Sequence, residues 1–225
     1  MSNTVAIKLQ NLSIGYRQAI LNDINIELPS GNSIVLLGLN GIGKSTLLKA
    51  IAGIEGLLSG KIFLFGKDVF SLSYSERAKL ASLIFSGFSE PTSLKVYDYV
   101  SLGRTPYLNL LAQKTTHDEK LIDRAIELTN IKDLQNYYID ELSDGERQKC
   151  MIARALAQDT PIMLLDEPTS HLDVKNKAEI TQLLKTIAEE FNKTIIFSSH
   201  DVEIAKKNSH IQLSIENNNL NMANS

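Results

Sequence analysis

The chain has 225 residues, 43% of them hydrophobic and 22% charged, which is enough to bury a sizeable core in one large domain or two small ones. Lys and Arg total 23 against 26 Asp and Glu, and the net charge of −3 provides no basic face for duplex nucleic acid. The single cysteine, Cys150, excludes an intrachain disulfide and suits a reducing cytosol. We expect no signal peptide and no membrane-spanning helix, so another chain would have to supply any spanning helices.

The N-terminal part of the sequence predicts strands followed by a helix. Apolar and polar residues alternate in VAIKLQNLSI, and two further strands joined by a turn at Pro29–Gly31 are predicted for INIELPSGNSIVLLG. The run SIVLLG is apolar without alternation, which is typical of a strand buried on both faces of a sheet. A helix is expected from Lys44 to about Ala52, and another strand with a turn is predicted for GKIFLFGKDV.

The rest of the chain predicts a helical stretch within an alternation of strands and helices. The pattern is helical from about Leu94 to Ala157. Buried strands are predicted for PIMLLDEP and KTIIFSSH, with an amphipathic helix between them, VKNKAEITQLLKTIAEEF. This order predicts right-handed βαβ units and a parallel sheet, interrupted by the helical stretch as an inserted subdomain. The asparagine-rich tail, ENNNLNMANS, is expected to fray.

A glycine-rich turn between a predicted strand and helix fits the phosphate-loop pattern Gly38-x-x-x-x-Gly43-Lys44-Ser45. A polyphosphate needs many N–H donors at close range, and glycine lets the backbone approach without a Cβ clash. Lys44 would reach the β- and γ-phosphates, and Ser45 would ligate Mg²⁺. A chance glycine turn is the alternative, and kinases and GTPases share this loop, so the reaction stays open. The candidate phosphate-binding residues are Gly38, Leu39, Asn40, Gly41, Ile42, Gly43, Lys44, Ser45 and Thr46.

Two carboxylates and a histidine are predicted at one edge of the sheet. Asp166 and Glu167 end a buried strand, and ligands bind at the C-terminal edge of parallel strands. Asp166 is suited to hold Mg²⁺, and Glu167 could act as general base on a water that attacks the γ-phosphate. His200 ends another buried strand and is expected to contact the γ-phosphate or that water. The alternatives are a solvated acidic turn and a structural histidine.

The segment that narrows the class is ELSDGERQKCMIARALAQD, which predicts a helix starting with a capping box of Ser143 and Glu146. Since this helix end has nothing local to bind, it is also a candidate second anion site, formed by Ser143, Asp144, Gly145 and Glu146. Two phosphate-binding elements in one chain suggest a site shared between two chains.

In order and spacing, these motifs resemble those of the ATP-binding cassette family, the nucleotide-hydrolysing subunits of membrane transporters. Over nearly the whole chain, GLNGIGKST is similar to Walker A, IMLLDEP to Walker B with its catalytic glutamate Glu167, and LSDGE to the LSGGQ signature. SHLD, Ser170 to Asp173, resembles the D-loop, and His200 matches the switch histidine. Tyr16 matches the aromatic residue that stacks on adenine; the alternative is a core tyrosine at a strand end.

The resemblance implies an α/β fold, a P-loop NTPase cassette with a RecA-like parallel-sheet core, N-terminal antiparallel strands and an inserted helical subdomain. We expect one domain, residues 1–225, with a nucleotide-binding core of 1–85 and 159–225 and a helical subdomain of 86–158. The family also implies a head-to-tail homodimer that sandwiches two ATP molecules, with Mg²⁺, between Walker A of one chain and the signature of the other. Closing this dimer on ATP and opening it after hydrolysis would drive a permease.

The sequence departs from the family pattern at two positions. Ser86 stands where the family has a glutamine that links Mg²⁺ to the permease contact, which puts coupling at that loop in doubt. In the signature, Asp144 adds a carboxylate near a phosphate, an unfavourable placement unless the helix dipole, neighbouring donors or Mg²⁺ offset it. Glu146 in place of glutamine is the milder change because it caps the helix.

The segment VYDYVSLGRTPYLN, with Leu102, Gly103, Arg104 and Pro106, resembles importers of iron chelates, haem and vitamin B12. A generic helix and turn is the alternative. We expect an ATPase held peripherally at the cytoplasmic face of the membrane by separate permease subunits, which work with a substrate-binding protein. The cargo stays open among siderophore, haem and cobalamin.

Three other classes compete with the importer. A cassette ATPase could serve a non-transport assembly, such as an iron–sulfur scaffold or a DNA-repair complex. A nucleotide sensor that barely hydrolyses is disfavoured by Glu167 and His200, although Ser86 leaves some room for it. A kinase or GTPase does not explain LSDGERQ.

Overall fold

The computed structural model describes residues 4–85, 93–109 and 111–224, which form two β-sheets and the helices packed on them. The strands are β1 (Val5–Gly15), β2 (Ala19–Pro29), β3 (Ser33–Leu37), β4 (Ser59–Leu64), β5 (Lys67–Asp68), β6 (Ala81–Ile84), β7 (Ile162–Leu165), β8 (Thr194–Ser199), β9 (Ile211–Glu216) and β10 (Asn219–Asn224). The larger sheet has the order β10-β9-β3-β8-β7-β6, and the smaller has the order β2-β1-β4-β5.

The helices lie on both faces of the larger sheet. They are α1 (Lys44–Ile51), α2 (Tyr74–Ala78), α3 (Val96–Ser101), α4 (Thr116–Leu128), α5 (Asp144–Ala157), α6 (Val174–Phe191) and α7 (Val202–Lys207). Short 3₁₀ helices span Val69–Ser71, Leu102–Tyr107, Lys132–Leu134 and Ile139–Glu141. Among the helices that the structure describes, none combines the length and hydropathy needed to cross a membrane.

The sheet topology confirms the predicted fold class. Strands β6, β7, β8, β3 and β9 run parallel to one another, and β10 pairs antiparallel with β9. The smaller sheet is antiparallel throughout and is built from the N-terminal strands. The structure therefore has antiparallel N-terminal strands beside a parallel core, as predicted from the sequence.

The central strands read as unbroken apolar runs because both faces of the larger sheet are covered. In β3, Val35 and Leu37 point into the core beneath α3 to α6, whereas Ile34 and Leu36 point into the core formed with α1 and the smaller sheet. Strands β7 and β8 divide their side chains between the two cores in the same way. Successive residues of a strand face opposite sides, so a two-sided core requires apolar residues at every position.

The LGR.P segment has a structural role at the joint between the helical elements. Gly103 lies so close to α5 that a Cβ there would stand 2.2 Å from the Arg154 carbonyl oxygen. The buried Arg104 guanidinium bonds the Asp118 carboxylate at 2.8 Å and the Ala157 carbonyl at 2.8 Å. The segment thus ties the start of α4 to the end of α5.

The expectation that the C-terminal tail frays is wrong over the described residues. Strand β10 pairs with β9 in continuous antiparallel register, from Asn219 opposite Glu216 to Asn224 opposite Ile211. The two residues between these strands, at positions 217 and 218, are asparagines with φ of 48° and 63°. Asparagine tolerates this left-handed conformation and favours two-residue hairpin turns, so the asparagine-rich composition marks a hairpin here.

Candidate active site

The phosphate loop connects the C-terminal end of β3 to the first residue of α1. Gly43 precedes the helix with a φ of 111°, and a Cβ at this position would stand 2.5 Å from Cγ2 of Ile20. Only glycine fits this approach without strain. No side chain caps the N-terminus of α1, so its first N–H groups remain available to an anion, next to the positive end of the helix dipole.

Lys44 places a buried cation inside this loop. Its Nζ donates to the carbonyl oxygens of Gly38 at 2.9 Å and Leu39 at 3.1 Å, and the residue is 5% exposed. The Glu167 carboxylate lies 4.0 Å from the same nitrogen, at the outer limit for an ion pair. The ammonium is therefore held by neutral carbonyls, with one carboxylate at longer range.

Asp166 and Glu167 follow β7 and are positioned by a side chain that the sequence analysis missed. Ser198, on the adjacent strand β8, donates from Oγ to Asp166 Oδ1 at 2.8 Å and accepts from the Glu167 N–H at 2.7 Å. The backbone of Glu167 has a φ of 49°, a conformation that is uncommon for residues other than glycine. One hydroxyl thus holds the Asp166 carboxylate and the backbone of Glu167. In the sequence its signal is the pair of serines that follows the apolar residues IIF.

The arrangement can perform acid–base chemistry beside a bound anion. Glu167 is partly exposed at the sheet edge, with its carboxylate toward the phosphate loop. A carboxylate in this place can accept a proton from a water molecule, and strained backbone is often found at such functional positions.

His200 follows β8 and lines an open cavity of about 1100 Å³ together with residues of the phosphate loop. Its neighbours in the cavity wall include Gly38, Asn40 and Lys206. The turn that presents it is held by the Ser199 hydroxyl, which accepts from the N–H of residue 201 at 3.0 Å. The histidine, which is exposed, therefore shares one cavity with the phosphate loop.

Tyr16 lies in the turn between β1 and β2 and is 66% exposed. Its hydroxyl is 3.5 Å from Glu55 Oε2, the outer limit of a hydrogen bond. Ile20, four residues further along the same hairpin, contacts the phosphate loop at Gly43. The hairpin that carries Tyr16 thus borders the phosphate loop, and the core-tyrosine alternative does not fit this exposure.

The proposed magnesium ligands fit an ion that is held jointly with a polyphosphate. Asp166 offers a buried carboxylate, and Ser45 lies in the first turn of α1, one residue after Lys44. Mg²⁺ prefers oxygen ligands and usually takes one or two carboxylates together with substrate phosphates. Within the described ranges, no cluster of three or more His, Cys, Asp or Glu residues could hold a metal by itself.

The signature segment forms the N-terminus of α5 with the predicted capping box. Ser143 Oγ donates to Glu146 Oε2 at 2.6 Å, and the Ser143 N–H donates to the same oxygen at 2.9 Å. These two bonds lower the pKa of Glu146, the side-chain bond contributing most. Gly145 is buried, and a Cβ there would stand 3.3 Å from the Asn176 side chain. The exposed Asp144 pairs with Arg147 at 2.8 Å.

One chain brings only part of the predicted site together. Lys44, Asp166, Glu167 and His200 all follow the C-terminal ends of β3, β7 and β8. Lys44 and Glu167 approach to 4.0 Å, whereas His200 lines a cavity with Gly38, Asn40 and Ile42 that the other three residues do not line. The polar contacts of Ser143–Glu146, within the described residues, stay in the first turn of α5, and that helix packs on α3, α4 and β6. The predicted D-loop, Ser170–Asp173, connects Walker B to α6, which Asp173 caps. The prediction for Ser86 lies outside the described residues.

Comparison with known proteins gives a consistent result. A family profile described as ABC transporter matches residues 21–170. The iron(3+)-hydroxamate import ATP-binding protein of Bacillus subtilis is 35% identical over 212 residues, which cover 94% of this chain and 79% of that protein.

Two solved structures are also closely similar. A transporter described as metal-chelate type, in an inward-facing conformation, superposes with a TM-score of 0.86 and 30% identity, covering 98% of this chain and 83% of that chain. The dimeric structure of a bacterial transporter cassette superposes with a TM-score of 0.84 and 26% identity, covering 97% of this chain and 98% of the other.

Proposed function

Because the chain belongs to the ABC transporter family and is an ATP-binding ATPase of that family, we propose that it powers the import of an iron chelate, haem or cobalamin through a separate membrane permease. The ATPase part of this proposal is supported most strongly by the approach of Lys44 and Glu167 to 4.0 Å beside the phosphate loop. ATP is the substrate, and Mg²⁺ would neutralise charge on its phosphates while Ser45 and Asp166 hold the ion.

ATP would be bound at both of its ends by elements of one chain. Residues Gly38 to Thr46 would surround the β- and γ-phosphates with backbone N–H groups, and Lys44 would turn from its carbonyl partners to the phosphate oxygens. The exposed ring of Tyr16 would stack on adenine at the border of the loop. The Tyr16 ring is exposed in the isolated chain, and the Lys44 ammonium bonds carbonyl oxygens, with a carboxylate at 4.0 Å.

Hydrolysis would use the residues at the sheet edge. Glu167 would accept a proton from the attacking water, and the strained backbone that Ser198 holds would aim its carboxylate. His200 would contact the γ-phosphate or the water from the end of β8, where it shares a cavity with Gly38 and Asn40 of the phosphate loop. Lys44 would stabilise the negative charge of the transition state.

The active unit would be a head-to-tail homodimer. The cassette of known dimeric structure has the same fold over nearly its whole length. Within the described residues, the polar contacts of Ser143–Glu146 stay in the first turn of α5, as expected for a helix end that completes the site of another chain. The signature end of one chain, Ser143–Glu146, would complete the γ-phosphate pocket of the other. ATP would close this dimer and hydrolysis would open it.

The importer assignment rests on relatives rather than on the cavity. The iron(3+)-hydroxamate import protein and the metal-chelate type transporter both match this chain over more than 90% of its length. In this arrangement the chain would lie peripherally at the cytoplasmic face of the membrane, bound to permease subunits that act with a separate substrate-binding protein.

The shared site is tested with Glu167→Gln, which keeps the shape of the side chain but removes its basicity. We expect this variant to bind ATP and to sediment as a dimer with ATP and Mg²⁺, but as a monomer without nucleotide. Glu167→Gln combined with Lys44→Ala is the control and should stay monomeric in both conditions. A single variant that binds ATP yet remains monomeric would contradict the shared site.

The transport role is tested by co-purification and uptake. The tagged chain should co-purify with a many-helix membrane protein, and its phosphate release should increase when that protein is present. Cells that carry Lys44→Ala should lose uptake of one of three labelled cargoes: an iron(3+)-hydroxamate, haem or cobalamin. Co-purification with a soluble assembly and unchanged uptake of all three would favour the non-transport alternative.

A further inference from the structure

The acidic first turn of α5 poses an electrostatic problem for the proposed function. Asp144 and Glu146 are both in this turn, and a γ-phosphate that docks there brings further negative charge. The Glu146 carboxylate is engaged by two hydrogen bonds from Ser143 and is partly buried. Asp144 is 65% exposed at its side chain and makes neither bond, so its charge faces the docking surface most openly.

The structure provides one cation at this carboxylate. Arg147 lies one helical turn after Asp144, and its Nη2 is 2.8 Å from Asp144 Oδ1. The next cation on the helix, Lys149, is occupied elsewhere, since its Nζ is 2.6 Å from Glu179 on α6. Among the ion pairs of the described residues, Arg147 is therefore the partner of the Asp144 carboxylate.

We infer that Arg147 is a positioning residue that holds Asp144 and cancels its charge, so that an acidic helix end can accept the γ-phosphate of the partner chain. The inference rests on the proposed shared site. An exposed i,i+3 ion pair adds little to stability, because solvent screens it and its side chains lose freedom. When a phosphate docks and excludes water, an uncancelled carboxylate repels it much more strongly. The pair therefore matters in the ATP-bound dimer rather than in the monomer.

The test measures ATP-driven dimerisation in the Glu167→Gln background by sedimentation velocity at about 0.05 M and about 0.5 M NaCl. Arg147→Ala should raise the dimer dissociation constant about tenfold at low salt and clearly less at high salt. Adding Asp144→Asn should restore the dissociation constant, and Arg147→Lys should retain most of the affinity. A merely structural role of the arginine would predict neither the rescue nor the salt dependence.

The matched control is Lys132→Ala, which removes a cation from the exposed Lys132–Glu127 pair at 3.1 Å, outside the signature segment. This variant should dimerise like the Glu167→Gln parent. The inference is overturned, with the shared site intact, if Arg147→Ala also matches the parent or if its defect persists with Asp144→Asn. A parent that binds ATP but never dimerises overturns the proposed shared site, and the inference with it.

Discussion

Two buried cations, Arg104 and Lys44, lie in different regions of the molecule and differ in how their charges are balanced. Arg104 is 3% exposed and makes bonds of 2.8 Å to the Asp118 carboxylate and to the Ala157 carbonyl. Lys44 is 5% exposed but has only carbonyl oxygens at hydrogen-bond distance, and its nearest carboxylate is 4.0 Å away. The chain itself supplies the counter-charge of Arg104, whereas a ligand would complete that of Lys44.

The backbone is constrained differently at the positions that matter most in the two regions. The phosphate-loop edge contains a glycine with positive φ before α1, and Glu167, which is strained at a φ of 49°. Next to Arg104, the constraint on Gly103 is close packing, because a Cβ there would clash with the Arg154 carbonyl oxygen. Positive φ alone does not mark the candidate site, since Ala112 and Asp159, which flank the helices that Arg104 joins, also have it.

The largest effect should come from Lys44→Ala at the phosphate loop. We expect phosphate release to fall by about 10²–10³-fold, because a preorganised cation is lost from the developing charge. The free energy of unfolding, measured with urea and no nucleotide, should change by no more than about 1 kcal/mol, since only hydrogen bonds to carbonyls are lost. A large loss of stability with little loss of turnover would mean that Lys44, like Arg104, serves the fold rather than the ligand.

Arg104→Ala should have the opposite profile. Removing the guanidinium leaves the buried Asp118 carboxylate uncompensated, which costs about 3–5 kcal/mol in the free energy of unfolding. Lys132→Ala, which breaks the exposed pair with Glu127, should cost no more than about 1 kcal/mol. Equal losses in the two variants, measured by urea unfolding, would mean that burial does not distinguish these pairs.

Gly103→Ala tests the packing that brings Arg104 to its partners. The added Cβ would meet the Arg154 carbonyl oxygen at 2.2 Å, so α5 or the 3₁₀ helix must shift, at a cost of about 1–3 kcal/mol. Gly56→Ala is the matched control, because no atom lies within 4 Å of the added Cβ and its φ is not positive. If the thermal unfolding midpoints of the two variants agree, close approach is not why glycine occurs at position 103.

The sequence predicted the phosphate-loop region well because local spacing determines it. Buried strands, a glycine turn and a helix start are short-range patterns, and parallel strands bring Lys44, Asp166 and His200 to one edge. Ser198 was missed because its role depends on register between β7 and β8, which a single sequence does not reveal. The C-terminal hairpin was missed because asparagine-rich composition outweighed the alternation of Ile211, Leu213 and Ile215.

The sequence was less informative about the Arg104 region. The LGR.P pattern indicated a transporter subfamily. In the structure, however, its residues form a close contact between Gly103 and α5 and an ion pair between Arg104 and Asp118, 14 positions apart. Such pairing depends on how α4 and α5 pack. Apolar periodicity shows which face of a helix is buried but not which helix it packs against. The counter-charge of Asp144 was missed for a related reason, since i,i+3 spacing permits a bond to Arg147 without requiring it.

The smallest predicted effect is a pH dependence of the free energy of unfolding that comes from Asp118, the partner of Arg104. Hydrogen bonds from Thr115, and then the Arg104 guanidinium, lower the pKa of Asp118 from 3.8 to about 2. Since the folded-state pKa is depressed, this carboxylate contributes its full stability above about pH 4 and loses it as the pH falls toward 2. In urea unfolding, the stability difference between wild type and Asp118→Asn should therefore shrink over this range. A difference that stays constant from pH 5 to about pH 2 would mean that the Asp118 charge does not support the fold.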